Sequence, residues 1–168
     1  IGSERISKAI RTARLDDKVK AVVLRVNSPG GSALASDVIW REAKLCKDVK
    51  PFVVSMGDVA ASGGYYIAAA ADKIYASPNT ITGSIGVFGM LMNLEKLYTE
   101  KLGLTFDQVK TNQYADIGSM TRALSADEYD IIQSSVVDVY ETFTSKVSEG
   151  RNISQQDVDA IGQGRVWS

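Results

Sequence analysis

Histidine is absent from all 168 residues and cysteine occurs once. Without an imidazole there can be no Ser-His-Asp or Cys-His arrangement, and the commonest metal ligand is missing as well. No metal site and no cofactor are expected. The single thiol, Cys46, excludes an internal disulfide and leaves the redox compartment undecided. Its place on an apolar-periodic helix with Ile39 and Leu45 reads as a core position. Charge of one sign is not in excess either: 19 basic and 20 acidic residues leave a net charge of -1, so no polyelectrolyte partner and no nucleic acid is indicated. No apolar run reaches the roughly 20 residues needed to span a bilayer, and the first residues lack the layout of a signal peptide. The chain opens on Ile1-Gly2-Ser3 within a helix approach and stops at Val166-Trp167-Ser168 without a capping element, which reads as a piece of something longer.

What is present suits one ordinary domain over residues 1–168, with 45% hydrophobic residues for its core. Ser3 followed by Ile6, Ala9, Ile10 and Ala13 predicts a capped amphipathic helix ending near Asp16-Asp17, and 21–26 predicts a buried strand. The alternation continues with a loop over 27–32, a helix over 33–47, a strand over 51–56 ending at Gly57, a helix over 63–71 and a short strand over 73–76. Helix and strand in turn argue α/β with parallel crossovers. Further on, 84–91 reads as a glycine-interrupted strand, 94–102 as a helix closed by Gly103, and 105–110 as the last strand. Ser125-Ala126-Asp127-Glu128 is a capping-box signature opening a helix to about 149 with Gly150 as its C-cap, and Ser154 starts a final short helix. Residues 111–124 lack periodicity, a length of loop that is usually functional or mobile.

Ser62 stands between the apolar strand and the small-residue helix, in the run Ala60-Ala61-Ser62-Gly63-Gly64-Tyr65. Its hydroxyl and the Gly63 amide fall at a helix start, where a nucleophile and an oxyanion donor are commonly placed. A plain Ser N-cap followed by close-packing glycines explains the same residues. Asn27-Ser28-Pro29-Gly30-Gly31-Ser32 follows the first strand, at the sheet edge where α/β proteins bind ligands. It reads either as an ordinary Pro-Gly turn or as a second source of amides, with Gly31 and Gly63 around one carbonyl. The turn Thr82-Gly83-Ser84-Ile85-Gly86 adds a hydroxyl, and it lacks the Gly-Lys-Ser/Thr ending of a phosphate loop. A serine hydrolase without histidine needs another base, and a lysine neutralised by burial is the remaining choice. Lowering its pKa from about 10.4 to near 7 costs roughly 4 to 5 kcal/mol of differential solvation.

These three ordered motifs, together with Gly164-Arg165-Val166-Trp167, resemble the signal peptide peptidase A family, the bacterial protease IV serine peptidases, over nearly the whole chain. The resemblance implies a crotonase/Clp-protease-like α/β fold of repeated β-β-α units with a helical C-terminal region. It implies a Ser-Lys dyad that cleaves residual signal peptides or other extended apolar peptides. It also implies a homo-oligomer at the bacterial cytoplasmic membrane, with the catalytic domain on the extracytoplasmic side. Carried over by motif, Ser62 is the nucleophile, Gly31 and Gly63 supply the oxyanion amides, Ser84 orients the lysine, and Gly30 and Ser32 contact substrate. A substrate pocket is expected from the 27–34 and 84–92 regions.

One position departs from the short form of the family, in which the lysine would fall at Ala115 of Tyr114-Ala115-Asp116-Ile117. Either a lysine has been replaced, or the chain is the C-terminal half of the tandem form and an upstream half supplies the base. The following Thr121-Arg122-Ala123-Leu124 favours the tandem half. Lys73 and Lys110 are the internal alternatives, and both read as surface residues. Two other functions remain open: an acyl-CoA enzyme of the wider fold, against which stands the lack of a basic cluster for nucleotide phosphates, and a non-catalytic peptide-binding or assembly domain using Tyr65, Tyr66 and the long helix.

Overall fold

The structure, a computed structural model, describes residues 2–168; Ile1 of the opening run lies outside them. The chain forms two compact units, one running up to Val87 and resuming over Val139–Ser168, the other Phe88–Asp138. In the first unit the elements alternate as α1 (Ser3–Leu15), β1 (Val22–Ser28), α2 (Ala33–Lys47), β2 (Phe52–Ala61), α3 (Gly63–Ala68), β3 (Lys73–Tyr75) and β4 (Ile81–Gly83). The long helix α4 (Ala126–Arg151) begins in the second unit, and α5 (Gln155–Ile161) and β5 (Val166–Trp167) close the first.

β2 is the spine of the sheet. It pairs in parallel with β1 along one edge, and on its other edge with β3 through Val53–Ser55 and with β4 through Val59–Ala61. β5 adds an antiparallel pair to β4. Alternate residues Phe52, Val54 and Met56 are buried, as is Val26 of β1, because a strand turns every second side chain to the same face. α2 meets that core with Ser36, Ile39, Trp40, Ala43 and Cys46, a spacing of three and four that keeps one helix stripe inward. Cys46 is fully buried, as its periodicity predicts, and burial pushes its thiol pKa up.

Several boundaries differ from the sequence expectation, each for a visible reason. Ser3 lies inside α1, and Gly2 takes the cap position without a side-chain bond. β2 does not end at Gly57. The register moves from Val26↔Met56 to Ser28↔Ala60, so β2 spends two extra residues in a bulge and then resumes pairing. Asn27 fills that bulge: its Oδ1 accepts from the Val59 amide at 3.1 Å, and a Cβ on Gly57 would come within 2.8 Å of the same side chain. α3 stops at Ala68, three residues early, leaving Ala69–Ala71 buried in a turn. Gly150 lies within α4 and is not its C-cap; a Cβ there would come within 2.0 Å of the Ala69 carbonyl oxygen, so the helix needs glycine to pack.

The expected strand over 84–91 is absent. β4 lies just upstream, and positive φ at Gly83 (74°) and Ser84 (48°) turns the chain off the sheet. The expected strand over 105–110 carries no ladder partner, while Val166–Trp167 forms a strand that periodicity over two residues cannot reveal. The expected helix over 94–102 is one π-helical turn, Leu97–Lys101, with Leu102 N bonded to the Leu97 carbonyl at 3.2 Å and Gly103 at φ 65°.

The capping box at Ser125 and the helix start at Ser154 behave as read. Glu128 N donates to Ser125 Oγ at 3.2 Å and Ser125 N to Glu128 Oε2 at 2.8 Å, while Ser154 Oγ accepts from Asp157 N at 3.1 Å. In the second unit the aperiodic segment is held by charge. Arg122 bridges Asp116 and Glu128, and Lys110 joins Asp116 at 2.6 Å. Arg122 and then Lys110 hold the Asp116 carboxyl well below the usual range, and Arg122 with the Ser125 amide holds Glu128 at about 2.

Candidate active site

The carboxyl ends of three adjacent parallel strands bring the sequence motifs together. Ser28 of β1 is level with Ala60 of β2, and Ala61 with Gly83 of β4. β1 runs two residues past its expected end, so the loop begins at Pro29, and the Pro29–Ser32 loop, Ser62 and Ser84 leave the sheet along one edge. The Ser62 amide donates to the Gly83 carbonyl at 2.9 Å, which fixes the nucleophile candidate against the start of the Ser84 turn.

Ser62 has φ 50° and ψ -122°. A side chain at positive φ is strained by roughly 1–3 kcal/mol, and such strain persists where the surroundings enforce it. Here the enforcing contacts are the Gly83 carbonyl on one side and α3 on the other, whose Tyr66 amide donates to the Ser62 carbonyl at 2.9 Å. A sharp strand-to-helix turn of this type lifts a serine hydroxyl clear of the sheet. The residue takes the N-cap position of α3 without a side-chain cap bond, so capping does not account for the serine. Both Ser62 and Ser84 are partly exposed.

The glycines explain how two backbone loops approach this turn. Gly30, at φ 107°, lies so close that a Cβ would come within 2.8 Å of both the Gly63 nitrogen and Ser62 Cβ. A Cβ on Gly63 would lie 3.4 Å from the Gly31 nitrogen and 2.5 Å from Ser36 Oγ. One on Gly64 would meet the Ser28 carbonyl oxygen at 2.5 Å. The Gly31 and Gly63 amides are thus neighbours beside the Ser62 turn, and neither donates to a protein acceptor among the described residues. Gly31 is exposed at φ 145°, with no atom within 4 Å of where a Cβ would lie. Paired free amides next to a nucleophile are the geometry that receives a carbonyl oxygen as it gains negative charge.

Ser32 caps α2, its Oγ accepting from the Ala35 amide at 3.3 Å, so its side chain serves the helix that follows the loop. The Ser84 amide donates to the Arg165 carbonyl at 2.7 Å, which ties the third turn to β5. Two contributors escaped the sequence reading. Ser36 of α2 is buried against Gly63 of α3, and Asn27 of β1 plugs the β2 bulge; a glycine facing a polar side chain of another element leaves no one-dimensional signal.

No group of three potential metal ligands occurs among the described residues. Of the two lysines weighed as a base within this chain, Lys110 is engaged by Asp116, and Lys73 is exposed on β3. A cavity of about 510 Å³ in the first unit is lined by Met56, Tyr65, Ile74, Tyr75, Thr82 and Arg151 among others, and not by the 27–34 or 84–92 regions. Burial pushes the Tyr65 phenol up there, opposed by the Arg151 charge.

Comparison with known proteins points one way. The model of peptidase family S49 matches residues 44–168, and that of Clp protease matches residues 3–82. The chain is 47% identical to Protease 4 of Salmonella typhi over its full length, covering 27% of that protein. It is 42% identical to the chloroplastic serine protease SPPA of Arabidopsis thaliana, with 99% of this chain and 24% of that one aligned. It therefore spans about a quarter of the length of these relatives. Among solved structures, a ClpP1 mutant from Listeria monocytogenes superposes with a TM-score of 0.61 at 16% identity, over 98% of this chain and 72% of that one, a likeness of fold.

Proposed function

Because the chain belongs to peptidase family S49, the signal peptide peptidase A family, we propose that it is a serine endopeptidase domain within a longer chain, with Ser62 as the nucleophile. The strained backbone of Ser62 between β2 and α3, with the Gly31 and Gly63 amides beside it, is the observation that carries this reading. Ser62 Oγ attacks the carbonyl carbon of an extended apolar peptide. The carbonyl π electrons move onto oxygen, and the two amides hold that charge through the tetrahedral intermediate. Collapse expels the amine, leaving an acyl-serine ester, and water then releases the acid by the same route in reverse.

The hydroxyl proton must go to a base and return to the leaving amine. A neutral lysine serves both steps, and it comes from an upstream half of the same chain, Ala115 being unable to take a proton. Ser84, leaving the sheet beside Ser62, orients that ammonium. Gly30 and Ser32 border the path of the substrate strand. Residual signal peptides are the substrate class, the assembly is a homo-oligomer, and the site faces the extracytoplasmic side of the bacterial membrane. No helix among the described residues is long and apolar enough to cross that membrane.

Hydrolysis of an apolar fluorogenic peptide by this chain and by its longer parent, each beside its Ser62→Ala variant, tests the reading. Activity in the parent alone, lost with Ser62→Ala, is the expected result. Turnover by the parent's Ser62→Ala variant would refute the nucleophile, and turnover by this chain alone would refute an external base.

A further inference from the structure

Ser36 is one of the few buried polar residues of the first unit, 8% exposed on the inner stripe of α2. Its Oγ donates to the Ser32 carbonyl at 3.0 Å, the same oxygen that accepts its own amide. A serine bonding back one helical turn is ordinary. What is not ordinary is the other side of this hydroxyl. It occupies the space where residue 63 would carry its Cβ, 2.5 Å from the ideal position of that atom. One oxygen therefore stands between the two segments that bear the free amides, bonded to the Gly30-Gly31-Ser32 loop and packed against Gly63 at the start of α3.

We propose that Ser36 is a positioning residue, setting the separation of the Gly31 and Gly63 amides by standing between the Ser32 carbonyl and the Gly63 α-carbon. The inference rests on the serine peptidase reading above. Deleting the hydroxyl removes one of the two hydrogen bonds that hold the Ser32 carbonyl, leaving the backbone bond from residue 36, and opens a gap against Gly63, so the donors lose their fixed spacing. Donors preorganised for the oxyanion act chiefly in the transition state. The loss therefore falls on kcat and leaves KM unchanged. Its size is that of one net neutral hydrogen bond, about two- to tenfold.

The test uses the longer parent protein carrying Ser36→Ala, with kcat and KM on an apolar peptide and the inhibition constant of a peptide aldehyde. The aldehyde's adduct with a serine hydroxyl presents its oxygen to the amides, so its affinity reports their spacing. The expected result is a fall in kcat and in aldehyde affinity by the same two- to tenfold factor, at constant KM. Parental kcat, a loss confined to KM, or unchanged aldehyde affinity overturns the proposal. Should a melting curve show Ser36→Ala unfolded, Ser36→Cys, of similar volume but with a weak donor, takes its place. Parental kcat and aldehyde affinity in the folded cysteine variant overturn the proposal, and a joint decrease supports it. The parallel Ser62→Ala parent separates the two readings: hydrolysis without Ser62 removes the peptidase assignment itself, whereas a dead Ser62→Ala beside a fully active Ser36→Ala removes Ser36 alone.

Discussion

Gly30 and Gly31 are adjacent, both at positive φ, yet the structure gives them different reasons to be glycine. Alanine at either position carries the strain of an L side chain in the left-handed region, roughly 1–2 kcal/mol. At Gly31 that is the whole cost, since no atom lies within 4 Å of an added Cβ. At Gly30 the Cβ would meet the Gly63 nitrogen and Ser62 Cβ at 2.8 Å and the Ala61 carbonyl oxygen at 3.2 Å. Two of these atoms are backbone in a tight turn and cannot swing aside, so an overpacking cost of about 1–3 kcal/mol is added. Gly30→Ala is thus expected to be less stable than Gly31→Ala by that 1–3 kcal/mol, a melting-temperature difference of roughly 2–12 °C for a domain of this size. The clash also pushes the Gly63 amide away from its neighbour, and losing an oxyanion donor typically lowers kcat about a hundredfold or more. Paired urea and thermal melts of both variants, with peptide hydrolysis by the longer parent, read the two effects. Equal destabilisation of the two variants, or a parental rate in Gly30→Ala, would refute the packing argument.

Replacing Ser62 itself separates strain from chemistry. Ser62→Gly and Ser62→Ala should both be inactive, but glycine relaxes φ 50° and should be about 1 kcal/mol more stable than alanine after its extra chain entropy is counted; a urea midpoint no higher for glycine contradicts the strain. Lys110→Met should leave hydrolysis by the longer parent at its normal rate, because Lys110 is bound to Asp116 and the proposed base lies outside this chain; a loss above tenfold at constant stability would point to Lys110 as the base instead. Acid should loosen the second unit in a defined window. The folded pKa of Glu128 is depressed from 4.5 to about 2, so the folded state favours the ionised form. Its stabilising contribution is complete above about pH 4.5, declines as the pH falls, and is gone below about 2. Glu128→Gln should flatten that decline without removing it, since Asp116 is depressed for the same reason; an unchanged acid profile of amide exchange in residues 110–128 would contradict the assignment.

The lack of histidine, the single buried thiol and the three glycine-serine motifs could be read in one dimension, because each depends on residue type or on periodicity along the chain. The helices over 33–47 and from 126 were legible for the same reason, their apolar stripe or capping box lying within a few residues. Local pattern failed where a partner distant in sequence decides the outcome. β2 continues past Gly57 because Asn27 and β4 supply the bonds a lone strand would lack, and 105–110 finds no ladder and is not a strand. Gly150 is a helix residue whose missing side chain lets α4 pack against Ala69 of another element. The sequence named Ser62 but left capping and catalysis undistinguished, since both place a serine before a helix. Tertiary structure removed the capping account, since Ser62 makes no side-chain cap bond, and showed a backbone held at φ 50° between the Gly83 carbonyl and α3, with Gly30 and Gly31 brought against it by pairing between β1 and β2. Strain and close approach are properties of three dimensions, enforced by neighbours far away along the chain, and no spacing rule encodes them.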